Sequence, residues 1–129
     1  MRILLDTQCW LWMLAAPDRF SPVGRQRLIA PEHELYLSAA SAWEIAIKSS
    51  LGRLRLPMDP AEYVRTRLLQ SQTLPLAITH EHALRVASLP AHHRDPFDRL
   101  LIAQAQLEAL VIMTSDAHFS AYEVEVIEP

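Results

Sequence analysis

Four acidic side chains are the residues of this sequence best placed to do chemistry together: Asp6, Glu44, Asp98 and Asp116. Asp6 and Asp116 each follow a short apolar run typical of a buried strand, and parallel α/β sheets bind their ligands beyond the carboxyl ends of the strands. Asp98 lies in the first turn of a predicted helix. Carboxylates that face one another repel strongly unless a cation joins them. A pocket shared by all four is therefore predicted to be a metal site.

Each of the four acids also has a local explanation that requires no shared site. Asp6 and Asp116 both suit helix N-caps. Glu44 ends a Ser-Ala-Trp-Glu segment with the spacing of a capping box, and it lies one helical turn before Lys48. The position of Glu44 therefore favours neither a local nor a functional role. Asp6 follows a predicted strand, and this position favours a functional role for it.

Asp98 favours a functional role most. An acid at this position suits the helix dipole, but Asp98 shares its predicted helical face with Ile102, Ala105 and Ala109. Small apolar side chains of this kind form faces that pack on a sheet, and a carboxylate at the tip of such a face needs a partner. A shared site explains four such acids at one sheet edge better than four separate caps do.

Strands and helices alternate along the predicted secondary structure. Apolar runs predict strands over 2–5, 35–37, 74–78, 110–113 and 124–127. N-cap residues, prolines and apolar periodicity predict helices over 7–15, 21–30, 38–50, 59–72, 79–88 and 95–109, with a short helical turn over 117–122. This alternation predicts an α/β fold with a mostly parallel sheet, and the length predicts a single domain spanning 1–129.

The composition excludes several classes of protein. Half of the residues are hydrophobic, enough for one sizeable core. Cys9 is the only cysteine, which excludes an internal disulfide and a cysteine-rich zinc site and fits a reducing compartment. Because Gly24 and Gly52 are the only glycines, a glycine-rich phosphate loop is excluded. No apolar run suits a signal peptide or a membrane span, so we expect a cytoplasmic protein without membrane association.

The basic residues are almost all arginines. The net charge of −3 argues weakly against a nucleic-acid-binding surface. Yet eleven of the twelve basic residues are Arg, which binds phosphate bidentately and stacks on bases; the codon usage of a GC-rich genome explains the same bias. Candidate RNA contacts near the acids are Arg53, Arg55, Arg94 and Arg99. Lys48 is a candidate contact for a substrate phosphate.

The histidines and tryptophans support weaker predictions. His92 and His93 stand close to Asp95, but consecutive histidines point in different directions and are poor candidates for one metal. The remaining histidines are expected at the surface or in loops: His33, His80, His82 and His118. Trp10 and Trp12 are two residues apart on a predicted helix, so both cannot face the core, and one is a candidate for binding a partner.

The donor set of the four acids indicates the metal and the reaction. Mg²⁺ prefers oxygen ligands and commonly combines a few carboxylates with water and substrate phosphate. Without thiolates or a histidine cluster, zinc is disfavoured. One or two such metals activate water and neutralise negative charge in the transition state of phosphodiester hydrolysis. The acids therefore predict phosphodiester chemistry.

Four segments, taken together, form a pattern known from one family. They are Leu-Leu-Asp6-Thr, Ser-Ala-Trp-Glu44-Ile-Ala-Ile-Lys48, His-Arg-Asp95-Pro-Phe-Asp98-Arg-Leu-Leu-Ile-Ala-Gln-Ala and Thr-Ser-Asp116. In this order, over essentially the whole chain, they resemble the PIN-domain nucleases and, more narrowly, the VapC-type toxins of bacterial toxin–antitoxin pairs. One difference is Gln8, where a His is common in those toxins; the position is not a required ligand.

The resemblance implies a Rossmann-like α/β/α sandwich and an endoribonuclease that depends on Mg²⁺ or Mn²⁺. It implies that the catalytic and metal-binding acids are Asp6, Glu44, Asp98 and Asp116, with Asp95 part of the third block. The supporting residues predicted beside these acids are Thr7, Lys48, Asp95 and Ser115. For Asp95, an N-cap and a supporting role both stay open. The resemblance further implies a homodimer that a cognate antitoxin holds inactive, with a C-terminal antitoxin segment in a groove near the site.

Other functions fit parts of the same pattern. A PIN-like nuclease of RNA maturation, or an RNA-binding scaffold without a toxin role, fits the same residues. A phospho-receiver domain fits less well, because Asp6 is not one of an acidic pair and the only lysine, Lys48, lies in the first half of the chain. A purely structural domain requires all four acids to act as caps alone.

Overall fold

The computed structural model describes residues 1–129 and contains one five-stranded parallel sheet. Its strands are β1 (Arg2–Leu5), β2 (Glu34–Ser38), β3 (Leu74–Leu76), β4 (Val111–Met113) and β5 (Val126–Ile127). Their order in the sheet is β3-β2-β1-β4-β5, and every neighbouring pair is parallel. The prediction of an α/β fold with a parallel sheet is confirmed.

Six α-helices connect and flank the strands. They are α1 (Thr7–Ala15), α2 (Pro22–Ile29), α3 (Ala39–Ser50), α4 (Pro60–Gln70), α5 (His80–Arg85) and α6 (Pro96–Glu108). Each begins after a side-chain N-cap, and α2, α4 and α6 also carry Pro in their first turn. Short 3-10 helices cover Pro17–Arg19, Val86–Ser88 and Ala117–Ala121. None of the helices combines the length and apolar character needed to cross a bilayer.

The predicted elements all occur, with differences at their ends. The helix predicted over 79–88 changes to 3-10 geometry after α5. The strands predicted over 74–78 and 124–127 are shorter than expected. Ala109 does not extend the buried face of α6, because it is exposed and ends the helix with a left-handed φ of 54°. Ile102 and Ala105 are buried on that face as predicted.

The core lies on both faces of the sheet, and β1 shows why. Side chains alternate between the two faces of a strand, so Ile3 and Leu5 pack in one apolar cluster while Leu4 packs in the other. All three side chains are fully buried, and each burial contributes about 1.5–3 kcal/mol to the free energy of unfolding. The burial of these side chains on both faces stabilises the pairing of β1 with β2 and β4.

The sheet order places the ends of β1 and β4 side by side. The chain runs from β1 to β2 and β3 on one side, then crosses to β4 and β5 on the other. Leu5 pairs with Met113, and the amide of the next residue, Asp6, donates to the Met113 carbonyl at 3.1 Å. Such a reversal of strand order opens a crevice at the carboxyl ends of the strands. Asp6 and Asp116 both follow strands at this edge.

Candidate metal centre

A cavity of about 330 Å³ opens at the carboxyl ends of β1 and β4, and all four predicted acids line it. Asp6 enters from the end of β1, Glu44 from α3, Asp98 from the first turn of α6, and Asp116 from the loop after β4. The supporting candidates Thr7, Lys48, Asp95 and Ser115, with Arg53 and Gln8, line the same cavity. We call this cavity the acid pocket.

Asp6 both caps a helix and lines the pocket. Its Oδ1 accepts the backbone N–H of Cys9 at 2.7 Å, which is the N-cap of α1, and its Oδ2 accepts the hydroxyl proton of Thr114. The residue is only 7% exposed. Burial raises the pKa of Asp6, and the charge of Glu44 adds to this, while the two hydrogen bonds oppose it. The local and the functional explanations of Asp6 are therefore compatible.

Glu44 does not belong to a capping box. The N-cap of α3 is Ser38, whose hydroxyl accepts the backbone N–H of Ala40 at 3.0 Å. Ser41 instead accepts the hydroxyl proton of Thr7 at 2.8 Å. The capping-box interpretation was wrong because the helix starts one turn earlier than the Ser-Ala-Trp-Glu spacing requires.

Lys48 pairs with Glu44 one helical turn away, as the spacing predicted. The Glu44 side chain is 8% exposed and the Lys48 side chain 47% exposed, so the ammonium faces both the acid and solvent. The hydrogen bond to Glu44 raises the pKa of Lys48. Lys48 thus pairs with Glu44, and its half-exposed ammonium group also lines the pocket.

Asp98 is the acid of the pocket whose pKa is shifted upward most by its surroundings. Burial, followed by the charges of Asp95, Glu44 and Asp6, raises its pKa to about 7, although His93 opposes the shift. Asp95 is the N-cap of α6 and accepts the backbone N–H groups of Phe97 and Asp98 at 2.9 and 3.2 Å. Asp95 therefore combines the N-cap role with a place in the pocket wall.

Asp116 lies between two histidines. Its Oδ1 accepts the backbone N–H of His118 at 2.9 Å and lies 2.8 Å from His118 Nδ1, while its Oδ2 lies 3.2 Å from His93 Nε2. Burial acts to raise the pKa of Asp116, but the hydrogen bonds from His118, and the charge that either imidazole carries when it is protonated, lower it overall. Asp116 is thus the acid with the strongest local support for its ionised form.

His93 contacts two acids of the pocket without lining it, and the sequence did not identify this role. Its Nε2 lies 2.9 Å from Asp98 Oδ2 as well as 3.2 Å from Asp116 Oδ2. Consecutive histidines do diverge, since His92 packs on the ring of Tyr122 instead. The only signal in the sequence was the position of His93 two residues before the N-cap of α6.

The other histidines follow the predictions only in part. His118 is at the surface as expected, with 64% of its side chain exposed, although it contacts Asp116. His82 was predicted at the surface or in a loop and is 2% exposed. It closes the capping box of α5 with Thr79, and its Nε2 lies 2.8 Å from Glu108 Oε1. The prediction for His82 was wrong because its pairing partner is distant in sequence.

The candidate RNA-binding arginines differ in their surroundings. Arg53 lines the acid pocket, and the residues Arg55 and Arg94 are exposed. Arg99 instead donates from Nη1 to the Pro90 carbonyl at 2.8 Å and from Nη2 to the Val86 carbonyl at 3.0 Å. Its guanidinium also donates to the carbonyls of Leu89 and His93 and to the Tyr122 hydroxyl. Arg99 therefore holds the segment before α6 in place, a structural role that the sequence did not indicate, and its RNA contact stays a prediction.

Trp10 and Trp12 do not both face the core, as predicted. Trp10 is fully buried, and Trp12 is partly buried against Phe20 beneath the Arg19 guanidinium. Trp43 is 59% exposed and contacts Phe97 edge to face, with ring centroids 5.2 Å apart. These two rings belong to the residues directly before Glu44 and Asp98, so they border the acids without lining the pocket.

A second, larger cavity lies on the other side of α3. It measures about 900 Å³, is mostly apolar, and is formed by α3, α4 and the edge strand β3. Exposed apolar side chains at this apolar groove are Trp43, Leu69 and Leu74. Apolar surfaces of this kind mark contacts with other macromolecules.

The sequence and the fold are both similar to those of known proteins. The model of the PIN domain family matches residues 3–125. Ribonuclease VapC16 of Mycobacterium tuberculosis is 48% identical over 50 residues, which cover 39% of this chain and 36% of that protein. VapBC2 from Rickettsia felis, bound to a promoter DNA fragment, matches with a TM-score of 0.74 and 12% identity over 100% of this chain and 99% of that one. DNA-bound VapBC from Salmonella typhimurium matches with a TM-score of 0.70 and 13% identity, covering 99% and 98%. These structures share the fold.

Proposed function

The chain belongs to the PIN-domain family, and from this premise we propose that it is a metal-dependent endoribonuclease and the toxin of a toxin–antitoxin pair. One observation supports the proposal above all others. Four acids from four separate elements line one cavity, and burial, together with the charges of the neighbouring acids, raises the pKa of Asp98 to about 7. A fold that gathers carboxylates in a place that opposes their ionisation is suited to bind a divalent cation, because the cation stabilises the ionised form.

The donor set fits Mg²⁺ or Mn²⁺. The residues that would hold the ion are Asp6, Glu44, Asp98 and Asp116. Oε1 of Glu44 and Oδ1 of Asp98 accept no hydrogen bond from the protein. Because the only buried side-chain polar atom without a partner is Oε1 of Gln104, these two oxygens are open to solvent. When bound, such a metal supplies activation of water and neutralisation of phosphate charge.

The chain's own residues would then bind and orient the RNA. Lys48 and Arg53 supply positive charge at the pocket, and the exposed Arg55 and Arg94 are further candidates for phosphate contacts. Cations at the mouth of an acidic pocket draw the phosphate backbone toward carboxylates that would otherwise repel it.

An antitoxin peptide is the protein partner that the acid pocket suits. Leu11 lines the pocket beside the acids, so an amphipathic segment could place an apolar side chain there and a guanidinium among the carboxylates. The structural similarity to VapBC2 and to VapBC motivates this assignment. Excess Mg²⁺ is expected to compete with such a peptide, and a peptide affinity that ignores Mg²⁺ would assign inhibition to another surface.

A homodimer contact is proposed for the apolar groove. Leu69 is 76% exposed beside this groove, and β3 is an edge strand with one unpaired side. We expect the parent to sediment as a dimer and Leu69→Glu to shift toward the monomer. Unchanged sedimentation of the variant would place the dimer contact elsewhere.

The test of the activity uses purified, antitoxin-free protein. Cellular RNA is incubated with the parent and with Asp6→Asn, with and without Mg²⁺ or Mn²⁺, and the cut sites are mapped. Metal-dependent cuts by the parent alone support the proposal, and cleavage that survives chelation contradicts it. Growth arrest on expression, relieved by the gene adjacent to it, distinguishes a toxin from an RNA-processing nuclease or an RNA-binding scaffold.

A further inference from the structure

The His93 imidazole joins the third and fourth acids of the pocket. Its side chain is 14% exposed, and its Nε2 lies 2.9 Å from Asp98 Oδ2 and 3.2 Å from Asp116 Oδ2. These two acids come from different elements, the start of α6 and the loop after β4. One ring nitrogen therefore bridges two elements that the sheet alone does not hold together.

The other ring nitrogen determines which atom carries the proton. His93 Nδ1 accepts the backbone N–H groups of Arg94 and Asp95 at 3.0 and 3.4 Å. In a neutral imidazole one nitrogen accepts and the other donates, so the proton lies on Nε2 and is aimed at both carboxylates. His93 is thus a donor to the acids in this orientation.

The same contacts argue against His93 as a metal ligand. One ring nitrogen of His93, one of His118 and a carboxylate oxygen of Asp116 lie within 4.8 Å of one another, a grouping that resembles a metal site. A metal on Nε2 would require the proton on Nδ1, where it would face two backbone N–H donors. The cluster therefore suits a hydrogen-bonded support better than a histidine-ligated metal.

The other two acids of the pocket have comparable donors. Thr114 donates to Oδ2 of Asp6, and Lys48 donates to Oε2 of Glu44. In both cases the donor fixes one oxygen of the carboxylate. His93 differs because it fixes one oxygen of each of two acids. Carboxylate ligands of metals are commonly held by such partners.

The position of His93 is itself well fixed. Its ring stacks on His118 with centroids 4.8 Å apart and planes 26° apart, and it meets Phe119 edge to face at 6.1 Å. Its backbone N–H donates to the Tyr122 hydroxyl at 2.8 Å, and its carbonyl accepts from Arg99 at 3.4 Å. A side chain held on its ring faces and its backbone is suited to orient others.

We propose that His93 is a positioning residue for the metal site: its Nε2–H holds Asp98 and Asp116 together so that both carboxylates are in place when the cation binds. This inference rests on the metal-dependent function proposed above. Loss of a hydrogen-bond partner of metal ligands typically weakens metal affinity by about 10–100-fold.

Calorimetric titration with Mn²⁺ tests the inference without using RNA cleavage. His93→Phe keeps an aromatic ring and removes the N–H, and we expect it to weaken Mn²⁺ affinity by about 10–100-fold. His93→Gln keeps an amide donor near the position of Nε2 and is expected to recover part of this affinity. The matched control is His92→Phe, because the neighbouring His92 is exposed and contacts Tyr122 rather than the acids; its affinity should equal that of the parent.

The outcomes separate this inference from the proposed function. A folded His93→Phe with the parent's Mn²⁺ affinity overturns the positioning role, while the parent still binds metal and cleaves RNA. A parent that binds no divalent metal overturns the proposed function and this inference together. If His93→Phe does not fold, ¹⁵N NMR of the metal-free parent decides directly: a proton on Nε2 of His93 supports the role, and a bare Nε2 with the proton on Nδ1 overturns it.

Discussion

Helix α3 separates two cavities of opposite character. Glu44, Ile45 and Lys48 line the acid pocket, whereas Ala42, Trp43 and Ala46 line the apolar groove. Neighbouring residues of the helix thus serve different cavities because each residue turns by about 100° around the axis. The groove is the larger cavity, at about 900 Å³ against about 330 Å³.

The comparison shows that the larger cavity is not the one with the chemical groups that the proposed reaction needs. The groove offers apolar surface, which favours contact with another protein but cannot activate water or stabilise a phosphate. The acid pocket gathers charge from four elements and shifts the pKa values of Asp6 and Asp98 upward. Perturbed ionisation in a cleft is the better indicator of a reactive site. Changes on the two sides of α3 should therefore affect different properties.

The largest expected difference between the two cavities is in cleavage. Asp98→Asn removes a proposed metal ligand and is expected to reduce the rate of RNA cleavage by more than about 100-fold, since removal of a ligand's hydrogen-bond partner alone costs about 10–100-fold. Leu69→Glu, beside the apolar groove, is the matched control and should cleave at the parent's rate. Equal reductions in both variants, measured on the same RNA at saturating Mn²⁺, would remove the distinction between the cavities.

The next effect is on pH dependence, and it should belong to the acid pocket alone. The pKa of Asp98 is about 7 in the fold, above its ordinary value of 3.8, so the folded state binds more protons than the unfolded state between these values. Without metal, the free energy of unfolding should rise as pH falls from 7 toward 4, by up to about 1.4 kcal/mol per pH unit. Denaturation in chelator at several pH values should show this slope in the parent.

Metal binding should have the opposite pH dependence, because a protonated Asp98 cannot bind a cation well. Mn²⁺ affinity is expected to fall below about pH 7, by up to about tenfold per pH unit. Asp98→Asn should make the stability slope shallower, leaving the smaller part that the raised pKa of Asp6 contributes. A slope in this variant equal to that of the parent would assign the shifted pKa to another group.

A smaller effect is expected for the RNA-binding arginines. Arg53→Ala and Arg55→Ala should weaken RNA binding and reduce the dependence of log Kd on log salt by about one for each phosphate that the protein no longer neutralises. Arg65→Ala is the control, because Arg65 lines the apolar groove. Filter binding at several salt concentrations measures the slopes. An unchanged slope in the Arg53 and Arg55 variants would place these side chains outside the RNA path.

Much of this arrangement followed from local features of the sequence. Strand ends and sheet topology bring Asp6 and Asp116 to one edge, and the apolar face of α6 aims Asp98 at the same place. Helix starts were predictable because Ser, Asp and Thr caps act within a few residues. The i, i+4 spacing likewise predicted the pair of Glu44 and Lys48.

The errors arose where distant partners decide a residue's role. His93 reaches Asp116 across 23 positions, and His82 reaches Glu108 across 26. Arg99 is held by carbonyls of a loop whose path no local pattern specifies. Such contacts depend on how α6 packs on the loops around it, which periodicity and capping rules do not describe.

The most direct test of a shared metal site compares two N-caps. Asp6 caps α1 and lines the acid pocket, whereas Asp59 caps α4 and lies outside it. Since Asn caps as well as Asp, Asp6→Asn and Asp59→Asn should both fold in metal-free buffer. Asp6→Asn is expected to be more stable than the parent by about 1 kcal/mol, because it removes a buried charge that also repels Glu44.

The measurement is the increase in the free energy of unfolding when Mn²⁺ is added. All three proteins are compared at one metal concentration, about 100 times the Kd of the parent. The increase is then expected to be about 2.7 kcal/mol for the parent and for Asp59→Asn, and Asp6→Asn should show only a small part of it. The same increase in Asp6→Asn as in the parent and Asp59→Asn would contradict a metal site shared by the four acids.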